Sequence, residues 1–315
     1  MSFELSLWQQ QCDTITTSSV GIAAVTSDRA PVFHPVSTPS GERLAVWQQG
    51  AGYPILCLHG HPGNGRSMSV FSQHLSARFR AIAPDLRGYG RSKTRRAFTM
   101  ADHLHDLTAI LDDLQLSQCL VLGWSLGGIL ALELALAQPQ RVSGLILVAT
   151  AARPRSSHPP IAWQDNAYTG LAALTNALKP GWDWGIENLG KRSLYRYLIQ
   201  QHTPTAYRYL AAEGTPAYLQ TSAYAHQALQ SALRSRYDRL ADLPSIQCPA
   251  LVLAGECDRH ITPESSLETA QHLSNSTWHS YPNTAHLFPW EVPQQMLGDI
   301  DRWLETAMAD VLPMY

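Results

Sequence analysis

The sequence predicts an α/β chain: a doubly wound, mostly parallel sheet with a helical insertion. Three observations predict it. Apolar runs of strand length recur at 54–58, 120–124, 145–149 and 250–255, without the alternation of a sheet that is wet on one face. Stretches of helical period separate the early runs, so strand and helix alternate along the chain. From Ala151 to about Leu240 the alternation lapses, and helical patterns interrupted by Pro and Gly and rich in Trp and Tyr take over. The expected division is an N-terminal extension at 1–40, a core domain at 41–152 and 241–315, and a helical cap, or lid, at 153–240.

In order, Leu44 and Val46 in the alternating stretch Arg43–Gln49 suggest an edge strand. Pro54–Leu58 is apolar on both faces and belongs inside the sheet. Met68, Phe71, Leu75 and Phe79 predict a helix over 67–79, and Ala81–Pro84 a short strand. Thr99 with Asp102 three residues on opens a helix whose stripe is Leu104, Leu107, Leu111 and Leu114. Leu145–Ala149, Ala250–Gly255 and Trp278–Tyr281 are further strands, and Met296, Leu297, Ile300, Trp303 and Leu304 mark a closing helix. The aromatics of the cap read first as its own core, because a small helical lid needs large side chains to bury anything.

Composition excludes several classes. With 315 residues, 45% hydrophobic and 15% charged, the chain can bury a large core. A net charge of -2 and a pI near 6.7 provide no basic field for nucleic acid. No apolar run reaches membrane-span length, and Met1–Trp8 lacks the basic start and apolar core of a secretory signal. Five cysteines, an odd number without CxxC spacing, are expected as free thiols in a reducing, cytoplasmic compartment. The expected chain is a monomer or small homo-oligomer acting on a small molecule.

The stretch Gly123-Trp124-Ser125-Leu126-Gly127-Gly128 follows a strand and opens a helix. A Ser between glycines at so sharp a turn is the nucleophile-elbow pattern, in which the hydroxyl is lifted clear of both elements. A G-x-S-x-G pentad arises by chance in about one chain in ten of this length, so its context decides. A Ser hydroxyl needs an imidazole to take its proton and a carboxylate to hold that imidazole. Asp258 stands three residues after the strand ending at Gly255, and His286 follows the last strand. Both therefore fall in loops at the carboxyl edge, where the crevice of such a sheet lies. Glu256 and Asp242 compete with Asp258, but Glu256 is too close to its strand. The oxyanion needs two amides: Leu126, after the nucleophile, and His61, in the loop His59-Gly60-His61-Pro62-Gly63. Trp124 and the His61 side chain are candidate substrate contacts. His59 with His61 and His103 with His105 lack the further ligands of a zinc site, so neither metal nor cofactor is expected.

These residues resemble the alpha/beta hydrolase superfamily over about residues 40 to 308, through His59–Gly63, Asp85–Ser92, Gly123–Gly128, Gly255–Pro263 and Ala285-His286. The elbow looks like that of the pimeloyl-carrier-protein methyl ester esterases, implying an acyl carboxylester. The His59–Gly63 loop looks like that of the prolyl iminopeptidases, with His61 in place of a usual Gly. Those enzymes use acidic cap residues to hold a free amine, for which Asp165, Asp183, Glu187 and Glu213 are available. Ser125 departs from the Asp of haloalkane dehalogenases and epoxide hydrolases. The resemblance implies a cofactor-free serine esterase acting through an acyl-enzyme. Aminopeptidase, thioesterase, carbon–carbon hydrolase, lyase or oxygenase chemistry and a ligand receptor on the same fold are the alternatives.

Overall fold

The computed structural model describes residues 30–309. Eight strands form one sheet: β1 (Val32–Ser37), β2 (Arg43–Gln49), β3 (Tyr53–Leu58), β4 (Phe79–Pro84), β5 (Cys119–Trp124), β6 (Val142–Val148), β7 (Ala250–Gly255) and β8 (Ser276–Tyr281). Their order is β1-β2-β4-β3-β5-β6-β7-β8. β2 is antiparallel to both β1 and β4, and every later pairing is parallel. The chain moves from β3 to one side, onto β4, and then crosses back to place β5 on the other. The carboxyl ends of β3 and β5 therefore flank the switch point, where helices leave to opposite faces and open a crevice.

Side-chain parity sets what each face buries. Along β5, Cys119 and Val121 join Leu107, Leu111 and Leu130 on one face, whereas Leu120, Leu122 and Trp124 join Phe71, Met296, Ile300 and Trp303 on the other. The first face is covered by the helices Met100–Asp113 and Leu126–Ala137. The second is covered by Ser69–Leu75 and Pro293–Thr306. The capping pair at 99–102 forms: Asp102 accepts from the Thr99 amide at 2.7 Å.

Three expectations are corrected. β2 is not the edge strand, because β1 pairs along its outer side. The core thus starts within the supposed extension. β1 gave little signal, since only Val36 is buried and Pro35 is a residue that edge strands tolerate. The rest of that extension, 1–29, lies outside the described residues, as does Cys12. The helix expected at 67–79 is a 3-10 turn at Gly65–Met68 followed by Ser69–Leu75, and Phe79 instead begins β4, paired with Tyr53.

Between β6 and β7 no strand occurs, and the segment is built from helices including Trp163–Leu178, Pro204–Tyr209 and Ala223–Arg234. Tyr195 and Tyr207 are buried there, whereas Trp163 and Tyr218 are exposed. Among the described residues no helix is long and apolar enough to cross a membrane.

At Gly127 an added Cβ would stand 2.0 Å from the Leu58 carbonyl oxygen, a backbone atom that cannot swing aside. Gly127→Ala is expected to cost more than about 3 kcal/mol, because backbone must move on both sides. Gly170→Ala, on the helix Trp163–Leu178, meets nothing within 4 Å and should be neutral or stabilise by up to about 1 kcal/mol. Urea denaturation of both checks this, and equal effects would contradict it.

Candidate active site

The elbow is strained as its sequence requires. Ser125 has φ 54 and ψ -116, a left-handed conformation that L-residues rarely adopt. It is pinned by its own amide to Val148 O at 2.9 Å and by its carbonyl, which accepts from Thr150 Oγ1 at 2.8 Å. Leu126 opens the helix, so its N–H has no acceptor within that helix and remains available at the site. Gly60 lies over the serine: a Cβ there would be 3.1 Å from Ser125 Cβ and 3.8 Å from Oγ. The loop after β3 is thus brought against Ser125 because Leu58 and Gly123 are register partners.

His59 is the strut of that loop. Its Nε2 accepts from the Leu86 amide at 3.0 Å and its Nδ1 faces Gly60 O at 2.8 Å, a pairing that needs a neutral ring protonated at Nδ1. Burial pushes its pKa down to about 4, which keeps it neutral. Asp85 holds the neighbouring turn, accepting from the Gly65 and Arg91 amides at 2.7 Å each.

At the other end, Asp258 Oδ2 receives His286 Nδ1 at 2.8 Å, while Oδ1 accepts from the amides of His260 at 2.7 Å and Ile261 at 3.0 Å. The aspartate side chain is fully buried and the histidine nearly so. With Nδ1–H donated to Asp258, His286 Nε2 is left bare as an acceptor. The competing acids are elsewhere: Glu256 accepts from Ser280 and Asp242 faces Arg239. Among the described residues the Ser125 hydroxyl makes no hydrogen bond, so the serine is not linked to His286 in this state.

Two expected substrate contacts are placed differently. Trp124 is 4% exposed and wedged edge-on between Phe71 and Trp290, since strand parity points it into the core with Leu120 and Leu122. The His61 ring is tethered at both nitrogens, to Tyr89 Oη at 2.8 Å and to His226 Nδ1 at 2.9 Å. His103 is buried and His105 exposed, on different sides of their helix. Among the described residues, no group of three His, Cys, Asp or Glu is arranged to hold a metal.

Sequence reasoning missed two supports. Glu291 accepts from the Ala285 amide at 2.8 Å and from the Gln200 amide at 2.9 Å, joining the His286 loop to the segment after β6. Its signal was an acid in the otherwise apolar Phe288-Pro289-Trp290-Glu291. His260 packs edge-on against His286 with ring centroids 4.7 Å apart, and burial holds its pKa down at about 4.

Residues 53–179 match the alpha/beta hydrolase fold family. The chain has the alpha/beta hydrolase fold, and its relatives are esterase-like. Among them is a pimeloyl-[acyl-carrier protein] methyl ester esterase of Nitrosomonas europaea, 27% identical over 80% of this chain and 96% of that one. The AB hydrolase superfamily protein YisY of Bacillus subtilis is 28% identical over 80% of this chain and 92% of its own length. A thermophilic esterase of Thermogutta terrifontis, solved with malate bound, superposes with a TM-score of 0.65 at 27% identity, covering 88% of this chain and 99% of that one.

Of the four acids expected to be available for an amine, Asp165 pairs with Arg196 at 2.7 Å and Glu187 with Lys191 at 2.5 Å, while Asp183 is exposed. Glu213 is buried beside Arg66, with Nε 3.4 Å from Oε2 but not aligned for a hydrogen bond. Burial outweighs Arg66 and raises the Glu213 pKa to about 7. A carboxyl whose folded pKa exceeds its unfolded one favours the fold at low pH, and this contribution is lost as pH rises toward 7. Glu213→Gln should therefore gain on wild type between pH 5 and 8 by on the order of 2–3 kcal/mol. Denaturant midpoints at the two pH values test it, and a difference that does not move with pH would contradict it.

Proposed function

We propose that the protein hydrolyses carboxylic esters of small acyl substrates through a Ser125-His286-Asp258 triad and an acyl-enzyme, without metal or cofactor. The observation that carries this reading is the Asp258–His286 pair at 2.8 Å, which leaves Nε2 bare on the strand edge that also bears the strained Ser125. In this mechanism Nε2 takes the hydroxyl proton as Ser125 Oγ attacks the carbonyl carbon. The amides of Leu126 and His61 receive the oxyanion. Collapse of the tetrahedral adduct expels the alcohol, which takes the proton from His286, and leaves an ester on Ser125. Water then attacks that ester, giving its proton to Nε2, and the second collapse returns the proton to Oγ and frees the acid. Asp258 stays ionised throughout and stabilises the transient imidazolium. The missing Ser125–His286 bond is compatible with this sequence, because catalytic hydrogen bonds often tighten only when substrate closes the site.

The esterase relatives support the choice of bond. An aminopeptidase is the weaker reading: two of the available acids are already paired with Arg196 and Lys191.

Wild type should turn over p-nitrophenyl esters in preference to aminoacyl anilides, with the preferred acyl length, from acetate to dodecanoate, reporting the pocket depth. Ser125→Ala should lower kcat by about 10⁴- to 10⁶-fold and abolish the mass gained on reaction with an organophosphonate. Ester turnover undiminished in Ser125→Ala would overturn the mechanism, and anilide preference would overturn the substrate class.

A further inference from the structure

The loop that carries the His61 amide is gripped from the helical segment at three nearby residues. His61 Nε2 meets His226 Nδ1 at 2.9 Å, Asn64 Nδ2 reaches Gln220 Oε1 at 3.5 Å, and Arg66 Nε faces Glu213 at 3.4 Å. Glu213, Gln220 and His226 all belong to the chain between β6 and β7, whereas their partners form the turn after β3. The His226 grip falls on the residue that follows Gly60, the glycine lying over Ser125.

His226 is well placed to act as a fixed point. It lies in the first turn of the helix Ala223–Arg234, whose N-cap Ser222 donates its amide to Gly88 O at 2.9 Å and accepts from the Ala225 amide at 3.1 Å. Ala225 and Ala228 bury that helix against the core. The opposite anchor, Tyr89, is fully buried, with its ring edge-on to His59. Burial, reinforced by the neighbouring His226, His260 and His59, pushes the His61 pKa down to about 3, so the ring is neutral. A neutral imidazole has one N–H and one bare nitrogen, and a phenol can donate or accept, so both contacts are satisfied together.

We infer that His226 is a positioning residue: it and Tyr89 hold the His61 ring at opposite nitrogens and thereby aim the His61 amide at the oxyanion. This inference rests on the esterase reading above. A ring fixed at two atoms fixes its side-chain torsions and so the Cα, one bond from the amide nitrogen. Gly60, on the other side of that amide, has no side chain with which to do so. A hydrogen bond to an exposed histidine adds little to stability, whereas a displaced oxyanion donor lowers the rate of every turnover. The two effects are therefore separable.

The test compares wild type, His226→Ala, His226→Asn, Tyr89→Phe and the double variant His226→Ala/Tyr89→Phe on p-nitrophenyl butyrate, with Ser125→Ala alongside. His226→Ala should lower kcat on the order of tenfold, with KM within about twofold and the melting temperature unchanged. His226→Asn, which keeps a polar partner for Nε2, should recover most of the loss. The double variant should lose less than the product of the single losses, because both substitutions act through one ring. Full kcat in His226→Ala with an inactive Ser125→Ala overturns this inference alone. A loss in His226→Ala that falls on KM, or that His226→Asn does not relieve, overturns it as well. Activity persisting in Ser125→Ala overturns the esterase mechanism and this inference with it.

Discussion

The contact of Gly127 with the end of β3 is the constraint on which the site depends. The helix Leu126–Ala137 can start directly after β5 only if its first turn lies against the Leu58 carbonyl, and a side chain at 127 would prevent that. With that turn seated, Ser125 adopts a positive φ and is fastened there by Val148 and Thr150. The same approach brings Gly60 over the serine and leaves the Leu126 amide unpaired within its helix. Three features of the site thus follow from one close backbone approach, and the sheet supplies the rigidity to hold it.

The sheet also explains why carboxylate and imidazole meet. β7 and β8 are register partners through Gly255 and Tyr281, so the turns that follow them leave the same edge side by side. Asp258 is spent at three points: two amides of its own loop fix Oδ1, and Oδ2 is left for His286. A buried carboxylate needs such partners for both of its oxygens. Residues 28 apart in sequence become a rigid pair because each turn is short and each is anchored on a neighbouring strand.

Legibility in the sequence followed the same physics. Apolar strands, the glycine-flanked serine and the order of Asp258 and His286 were visible because each is written in a few adjacent residues. What was hidden was written across long separations or in ambiguous residues. β1 carries one buried side chain and a proline, so its strand character exists only in its pairing with β2. Trp124 sits beside Ser125 in sequence, yet strand parity turns it away from the serine loop and into the core. His226 is 165 residues from His61, and nothing local distinguishes it from other polar residues on a helix.

A division of labour follows from where each kind of contact is made. The Asp258–His286 pair and the elbow depend on short turns bound to a buried parallel sheet. The His61 loop instead spans the crevice and shares its polar contacts with the segment between β6 and β7. His59 secures the root of the loop from inside the core through Leu86, but the Nε2 side of the His61 ring is held by His226, an exposed residue on a helix outside the sheet. In the proposed mechanism the nucleophile and base are set once, by folding. In that mechanism the placement of the His61 amide remains coupled to the seating of the helical segment that holds His226, Gln220 and Glu213.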